Sequence, residues 1–129
     1  MFRKSLLFVV FAALLAACGG SAGATAEISA DMTDLMFTPA NFEVPAGTEV
    51  TLKLTNSGAV EHNFVILKQG AVYTSSADIK PEDVIVDAKL AAGESGEFAF
   101  KIDEAGEYTV ICNVPGHLEA GMVGKLVVK

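Results

Sequence analysis

Residues 106–129 read GEYTVICNVPGHLEAGMVGKLVVK, which is two strand-like segments separated by a loop rich in turn residues. Apolar side chains alternate in the first segment, so Tyr108, Val110 and Cys112 are expected on one face of a strand. A Pro-Gly pair and a later glycine supply the turn chemistry, and apolar residues return from position 122. The stretch therefore predicts two β-strands joined by a loop.

The same alternation recurs along the chain from residue 28 onward, with Gly, Pro and Asn marking the turns. It is clearest in three segments: Val50, Leu52 and Leu54; His62, Phe64 and Ile66; and Phe98, Phe100 and Ile102. Several short strands without a convincing helical stripe predict an all-β fold, an antiparallel β-sandwich. Residues 69–84 break the pattern, and they either hold one short helical turn or cross from one sheet to the other.

The first 17 residues have the order of an export signal. Arg3 and Lys4 precede an apolar run that is too short to span a bilayer comfortably, and small residues follow it. The Leu-Ala-Ala-Cys sequence ending at Cys18 resembles a bacterial lipoprotein signal, in which this cysteine is acylated. The alternative is an ordinary cleavable signal with an incidental Cys18. We predict a lipoprotein signal peptide over residues 1–17 and lipid attachment at Cys18.

The rest of the chain divides into two parts. Residues 18–27 are expected to be the lipidated cysteine and a flexible tether, because 19–26 (GGSAGATA) lack charge, periodicity and large apolar groups. Residues 28–129 are expected to form one small domain, held to a membrane outside the cytoplasm. Free thiols tend to be oxidised in such a compartment, so the remaining cysteine, Cys112, requires an explanation.

The predicted mature chain is strongly acidic. Without residues 1–17, 7 lysines and no arginine stand against 16 acidic residues, so the net charge falls from −7 to −9. This charge argues against nucleic-acid binding through a basic face. It either steers a basic redox partner toward the protein or serves solubility alone, because the acidic residues are scattered.

The loop of residues 112–122 carries three side chains with metal-binding chemistry. Cys112, His117 and Met122 follow each other at intervals of five residues, and such soft ligands select copper. The only other histidine, His62, opens its strand, and Cys112 ends another. If these two strands are antiparallel neighbours, both residues lie at one pole of the sandwich. Two His, one Cys and a weak axial Met are the ligands of electron-transfer copper sites. Taken singly, Met122 could be a packing residue of the core, and His62 an ordinary surface or core histidine.

From residue 37 to 129 the chain resembles the small blue-copper proteins of the cupredoxin family, especially their membrane-associated, plastocyanin-like members. The resemblance is carried by residues 37–39 (FTP), 42–48 (FEVPAGT), 54–56 (LTN), 62–64 (HNF) and the 112–122 loop. It implies a Greek-key sandwich that binds one copper ion through His62, Cys112, His117 and Met122.

The resemblance also assigns roles around the ligands. Asn63 is expected to brace the ligand loop or donate to the thiolate; the alternative is an exposed strand residue without a role. His117 is expected to reach the surface as the electron's port, inside an apolar collar of Val114, Pro115, Leu118 and Ala120. Glu61 departs from the usual neutral residue. It lowers the reduction potential if its side chain points inward, and has little effect if it lies in solvent.

The expected function is that of a carrier and not of an enzyme, because four protein ligands leave no open position for a substrate. A monomer that exchanges electrons with a c-type cytochrome or a membrane electron-transfer complex is expected. The alternative is a copper chaperone or storage protein with the same ligands. A sandwich without metal is a further class, whereas a copper nitrite reductase needs additional histidines that the chain lacks.

Overall fold

The computed structural model describes residues 23–129, so the predicted signal peptide and Cys18 lie outside the described residues. Short strands follow one another along this part of the chain: β1 (Thr25–Thr33), β2 (Met36–Thr38), β3 (Asn41–Val44), β4 (Glu49–Asn56), β5 (His62–Leu67), β6 (Val84–Leu90), β7 (Ser95–Lys101), β8 (Gly106–Ile111) and β9 (Val123–Val128). The buried and exposed positions alternate along most of them, as the period of two predicted.

The strands form two sheets, which confirms the predicted all-β sandwich. One sheet has the order β2-β1-β4-β7 and the other β3-β9-β8-β5-β6. The sheets are mixed and not purely antiparallel, because β1 pairs in parallel with β4 and β3 with β9. Alternation tells which face of a strand is buried but not the direction of its neighbour, so the sequence did not reveal the parallel pairs.

The core lies between the sheets and is centred on Phe64. The Phe64 ring meets Phe37 and Phe42 edge-on, with centroids 5.3 Å apart in both pairs. Leu52 from the first sheet and Val110 from the second are fully buried in the same cluster. This shared core fixes the two sheets against each other and gives a rigid support for the loops at their ends.

The start of β1 corrects the boundary of the predicted tether. Thr25, Ala26 and Glu27 were expected to be flexible, but they pair in register with residues 49–51 of β4. Backbone hydrogen bonds to a neighbouring strand do not require large side chains, so the small residues of this segment concealed a strand. The folded part begins at Thr25 instead of residue 28.

The antiparallel pairing of β5 with β8 places the start of β5 beside the end of β8. Val65 lies opposite Ile111 and Ile66 opposite Val110, which confirms the predicted neighbourhood of these strands. Consequently the start of β5 and the end of β8 lie at one pole of the sandwich. We call this end the ligand pole, defined by residues 57–62 and 112–122.

Residues 69–84 contain two short 3-10 turns, Ser76–Asp78 and Pro81–Asp83. Tyr73, Ile79 and Val84 pack onto a second cluster on the outer face of the β5–β8 sheet, formed by Val65, Leu67, Ile111 and Leu118. The segment thus covers apolar side chains that would otherwise be exposed. Within residues 23–129, no helix has the length and apolar character needed to cross a membrane.

Candidate metal centre

Three predicted ligands meet at the ligand pole. The Nδ1 atoms of His62 and His117 are 3.1 Å apart, and the Sγ atom of Cys112 lies 3.9 Å from the first and 3.4 Å from the second. Donors bound to one ion at about 2.0 to 2.3 Å lie roughly 3 to 4 Å from each other. The triangle of these atoms therefore has the size that one metal ion requires.

The backbone determines how the loop presents its ligands. Cys112 follows directly on β8, and its N–H donates to the carbonyl of Met122 at 3.2 Å. The N–H of Met122 in turn donates to the carbonyl of His117 at 3.0 Å. Gly116 adopts φ +88°, a conformation that glycine tolerates, in the turn just before His117. Because the loop is closed by its own hydrogen bonds, three ligand positions are fixed relative to one another.

Met122 is fully buried in the main core next to these residues. Its backbone bonds tie it to both Cys112 and His117. The structure therefore places Met122 beside two of the predicted ligands, and its burial by itself accounts for it as a packing residue.

The site favours neutral imidazole and disfavours free thiolate. Burial lowers the pKa of His117, and the neighbouring His62 lowers it further, so the ring is available as a ligand. Burial raises the pKa of the Cys112 thiol, although hydrogen bonds from the backbone N–H groups of Asn63 and Val114 oppose this. A metal ion that binds here therefore has to displace the thiol proton.

Asn63 joins β5 to the ligand loop. Its side-chain carbonyl accepts the N–H of Asn113 at 2.9 Å, and its amide donates to the carboxylate of Asp87 at 2.8 Å. The residue is fully buried, so these bonds satisfy polar atoms that have no access to water. This geometry corresponds to the bracing role predicted for Asn63.

Two expectations about the surroundings of the site are now resolved. Glu61 points into solvent, where its carboxylate pairs with Lys89 at 3.3 Å, so the solvent-side alternative holds. The prediction that Leu118 belongs to the apolar collar around His117 is wrong, because Leu118 is buried under residues 69–84. Val114 and His117 are half-buried, whereas Pro115 and Ala120 are exposed, as a surface at the end of the sandwich requires.

Sequence reasoning missed one polar contact of the site. The Oδ1 atom of Asp34 lies 3.4 Å from Nε2 of His62, the ring nitrogen that faces away from the Cys112 and His117 donors. Asp34 is separated from His62 by 28 positions and looks like an ordinary turn residue. Only the spatial neighbourhood of the β1–β2 turn and the β4–β5 loop reveals the contact.

Comparisons with known proteins agree with this geometry. Residues 24–129 match the family described as copper binding proteins, plastocyanin/azurin family. The chain is 35% identical to the copper-resistant cuproprotein CopI of Rubrivivax gelatinosus, over 86% of this chain and 71% of that protein. It is 33% identical to auracyanin-A of Chloroflexus aurantiacus, over 95% of this chain and 93% of that protein.

Solved structures show the same likeness. The structure of auracyanin A, described as a "blue" copper protein from the green thermophilic photosynthetic bacterium Chloroflexus aurantiacus, superimposes with a TM-score of 0.69 at 28% sequence identity. The superposition covers 82% of this chain and 100% of that one.

Proposed function

Because the chain belongs to the plastocyanin/azurin family of copper-binding proteins, we propose that it is a mononuclear type 1 copper protein that carries single electrons between redox partners. The observation that supports this most strongly is the triangle of His62, Cys112 and His117 donor atoms, all within 4.8 Å of one another. Met122 would be the fourth ligand and would supply a weak thioether donor.

The proposed ligands differ in their exposure to solvent. His62, Cys112 and Met122 are fully buried, whereas His117 is half-buried. Bound at these side chains, copper supplies a one-electron couple between Cu(I) and Cu(II). Because the ligands are fixed by two packed sheets and a hydrogen-bonded loop, they rearrange little when the charge of the site changes. The exposed edge of His117 is where a redox donor or acceptor would dock to exchange one electron with the bound copper.

The partners that we propose are redox proteins with a basic docking surface, such as a c-type cytochrome or a membrane electron-transfer complex. The predicted mature chain has a net charge of −9, which attracts basic proteins over about a Debye length. Association rates should therefore fall as the ionic strength rises. Rates that are independent of salt would remove the steering role and leave solubility as the function of the charge.

We further propose that the domain acts outside the cytoplasm, attached to a membrane through a lipid on Cys18. The support is the sequence of residues 1–18, with its basic pair, apolar run and terminal Leu-Ala-Ala-Cys. Mass spectrometry of the membrane fraction tests this, because an acylated Cys18 would be the first residue of the mature protein. The same fraction from a Cys18→Ser variant should lack the lipid.

The test of the copper site is visible absorption of the mature protein after addition of Cu(II). The wild type should develop an intense thiolate-to-copper charge-transfer band, and Cys112→Ser should abolish it. Met122→Leu should keep the band, because a weak thioether donor contributes little to the bond between copper and the thiolate. A wild-type protein without the band would contradict the proposed function.

A second candidate function is a copper chaperone or storage protein, favoured by the likeness to a copper-resistant cuproprotein. The two functions differ in how firmly the reduced metal is held. A carrier retains copper in both oxidation states when it is mixed with a competing copper chelator, whereas a chaperone releases Cu(I) readily. We expect retention, because three of the four proposed ligands are fully buried.

A further inference from the structure

The buried histidine of the site has a carboxylate behind it. Nδ1 of His62 faces the other donors, and Nε2 on the opposite side of the ring lies 3.4 Å from Oδ1 of Asp34. The His62 side chain is 0% exposed, whereas that of Asp34 is 63% exposed. The buried Nε2 atom of His62 therefore contacts a side chain that is itself exposed to solvent.

The surrounding backbone keeps this contact close. Oδ1 of Asp34 also accepts the N–H of Ala59 at 3.1 Å, which ties the β1–β2 turn to the loop before His62. Gly58 lies over the contact, and a Cβ atom there would be 2.6 Å from Nε2 of His62 and 2.8 Å from Oδ1 of Asp34. Only a residue without a side chain leaves room for the imidazole and the carboxylate together.

We propose that Asp34 is a positioning residue that tunes the copper site through His62. Its carboxylate accepts the Nε2–H proton, which leaves the lone pair of Nδ1 directed toward the metal. The negative charge also stabilises Cu(II) relative to Cu(I), so that the reduction of Cu(II) by one electron becomes less favourable. Asp34 therefore lowers the reduction potential. The inference rests on the proposed copper site.

The expected size of the effect follows from the exposure of Asp34. Hydrogen-bond partners of metal ligands typically change metal affinity by about 10- to 100-fold, and an acid in contact with water belongs at the lower end. We expect the preference for Cu(II) over Cu(I) to change about tenfold, which for one electron corresponds to about 59 mV.

The chain provides a matched control in Asp31. This residue lies on β1, three positions before Asp34, and its Oδ1 atom accepts the N–H of Ser57 at 3.2 Å, so it holds the same loop through a different contact. Asp34→Asn and Asp31→Asn each remove one negative charge and keep an oxygen acceptor. The reduction potential of the copper-loaded protein should rise in Asp34→Asn by the amount above and much less in Asp31→Asn. An unchanged potential in Asp34→Asn, or equal shifts in both variants, would overturn the inference.

A second measurement does not depend on the potential. In the Cu(I)-loaded wild type, nitrogen-15 NMR should show His62 protonated at Nε2, with slow exchange of this proton against water. Asp34→Ala should accelerate the exchange, and Asp31→Ala should not. An Nε2–H that exchanges equally fast in the wild type and in Asp34→Ala contradicts the role of Asp34. Loss of the thiolate-to-copper band in the wild type would instead reject the copper site itself, so the two failures are distinguishable.

Discussion

The two histidines of the site lie in opposite surroundings. His62 is the first residue of a strand in the middle of a sheet, is fully buried and has Asp34 behind its ring. His117 lies on a loop, is half-buried and is held by backbone bonds within that loop. Their Nδ1 atoms nevertheless approach to 3.1 Å. The two histidines therefore reach the same site from different kinds of structure, because a strand supplies His62 and a loop supplies His117.

This difference separates two requirements of an electron carrier. The interior ligand has to keep its position when the charge of the site changes, which a packed strand ensures. The loop ligand has to be close to a docked partner, which requires surface exposure. Changes on the His62 side should affect the geometry and stability of the site, and changes on the His117 side should affect access to it.

Removal of each ring gives the largest expected difference between the two sides. His62→Gly and His117→Gly should both lose the thiolate-to-copper band, because each lacks one of the proposed histidine ligands. Imidazole added to the solution should restore the band in His117→Gly, where the opening faces water. It should not restore the band in His62→Gly, where the vacated space is enclosed by the core. Visible absorption during an imidazole titration measures both responses, and equal recovery in the two variants would refute the assignment of an inner and an outer histidine.

The next largest effect is a loss of stability when a side chain is added next to His62. Gly58→Ala places a Cβ 2.6 Å from His62 and should lower the free energy of unfolding by about 1 to 3 kcal/mol, the usual cost of overpacking. Denaturant unfolding of the metal-free protein measures this change. Gly23→Ala is the control, because nothing lies within 4 Å of a Cβ at that position. Equal unfolding midpoints for the two variants would show that the surroundings of His62 accommodate the added methyl group without loss of stability.

The smallest effect concerns the outer side, where Glu119 ties the ligand loop to residues 69–84. Its Oε1 atom accepts the N–H of Ser76 at 2.9 Å and the hydroxyls of Ser75 and Ser76 at 3.2 and 3.0 Å. Hydrogen bonds from the backbone N–H groups of Glu119 itself and of Ser76 lower the pKa of this carboxyl to about 2.

A lowered carboxyl pKa stabilises the folded state above the ordinary pKa of 4.5, and this stabilisation disappears as the pH falls toward 2. Carbon-13 NMR of the Glu119 carboxyl should therefore give a titration midpoint near 2. Glu119→Gln should slightly lower the stability at neutral pH, where the wild type has this stabilisation in full, and should make the acid side of the stability profile less steep. A midpoint near 4.5 would mean that the hydrogen bonds from Ser75 and Ser76 to Glu119 do not form in solution.

The comparison also explains which features the sequence could reveal. Strand alternation identified the core faces and placed His62 at the start of a strand, and antiparallel pairing then brought it to Cys112. The loop ligands were evident because Cys112, His117 and Met122 are close in sequence and chemically distinctive. These features are local, or depend on one pairing between neighbouring strands.

The features that escaped the sequence depend on contacts between distant segments. The parallel pairing of β1 with β4 leaves no trace in the alternation of either strand. The contact of Asp34 with His62 requires a turn of one sheet to meet the first residue of a strand in the other sheet. Leu118 was assigned to the surface because the loop alone is exposed, and its cover comes from residues 69–84. Tertiary contacts, and not local preferences, decide each of these cases.

The parallel pairing of β1 with β4 also sets an orientation. Thr25 lies beside Glu49, at the start of both strands, and Met32 lies beside Asn56, where β4 approaches the ligand pole. The chain therefore enters the sandwich at the end remote from His62 and Cys112 and runs toward them. A protein immobilised on an electrode through its N-terminal segment would have its ligand pole facing away from the electrode. Electrons would then have to cross the length of the sandwich to reach the electrode. A soluble mediator, by contrast, would contact His117 directly.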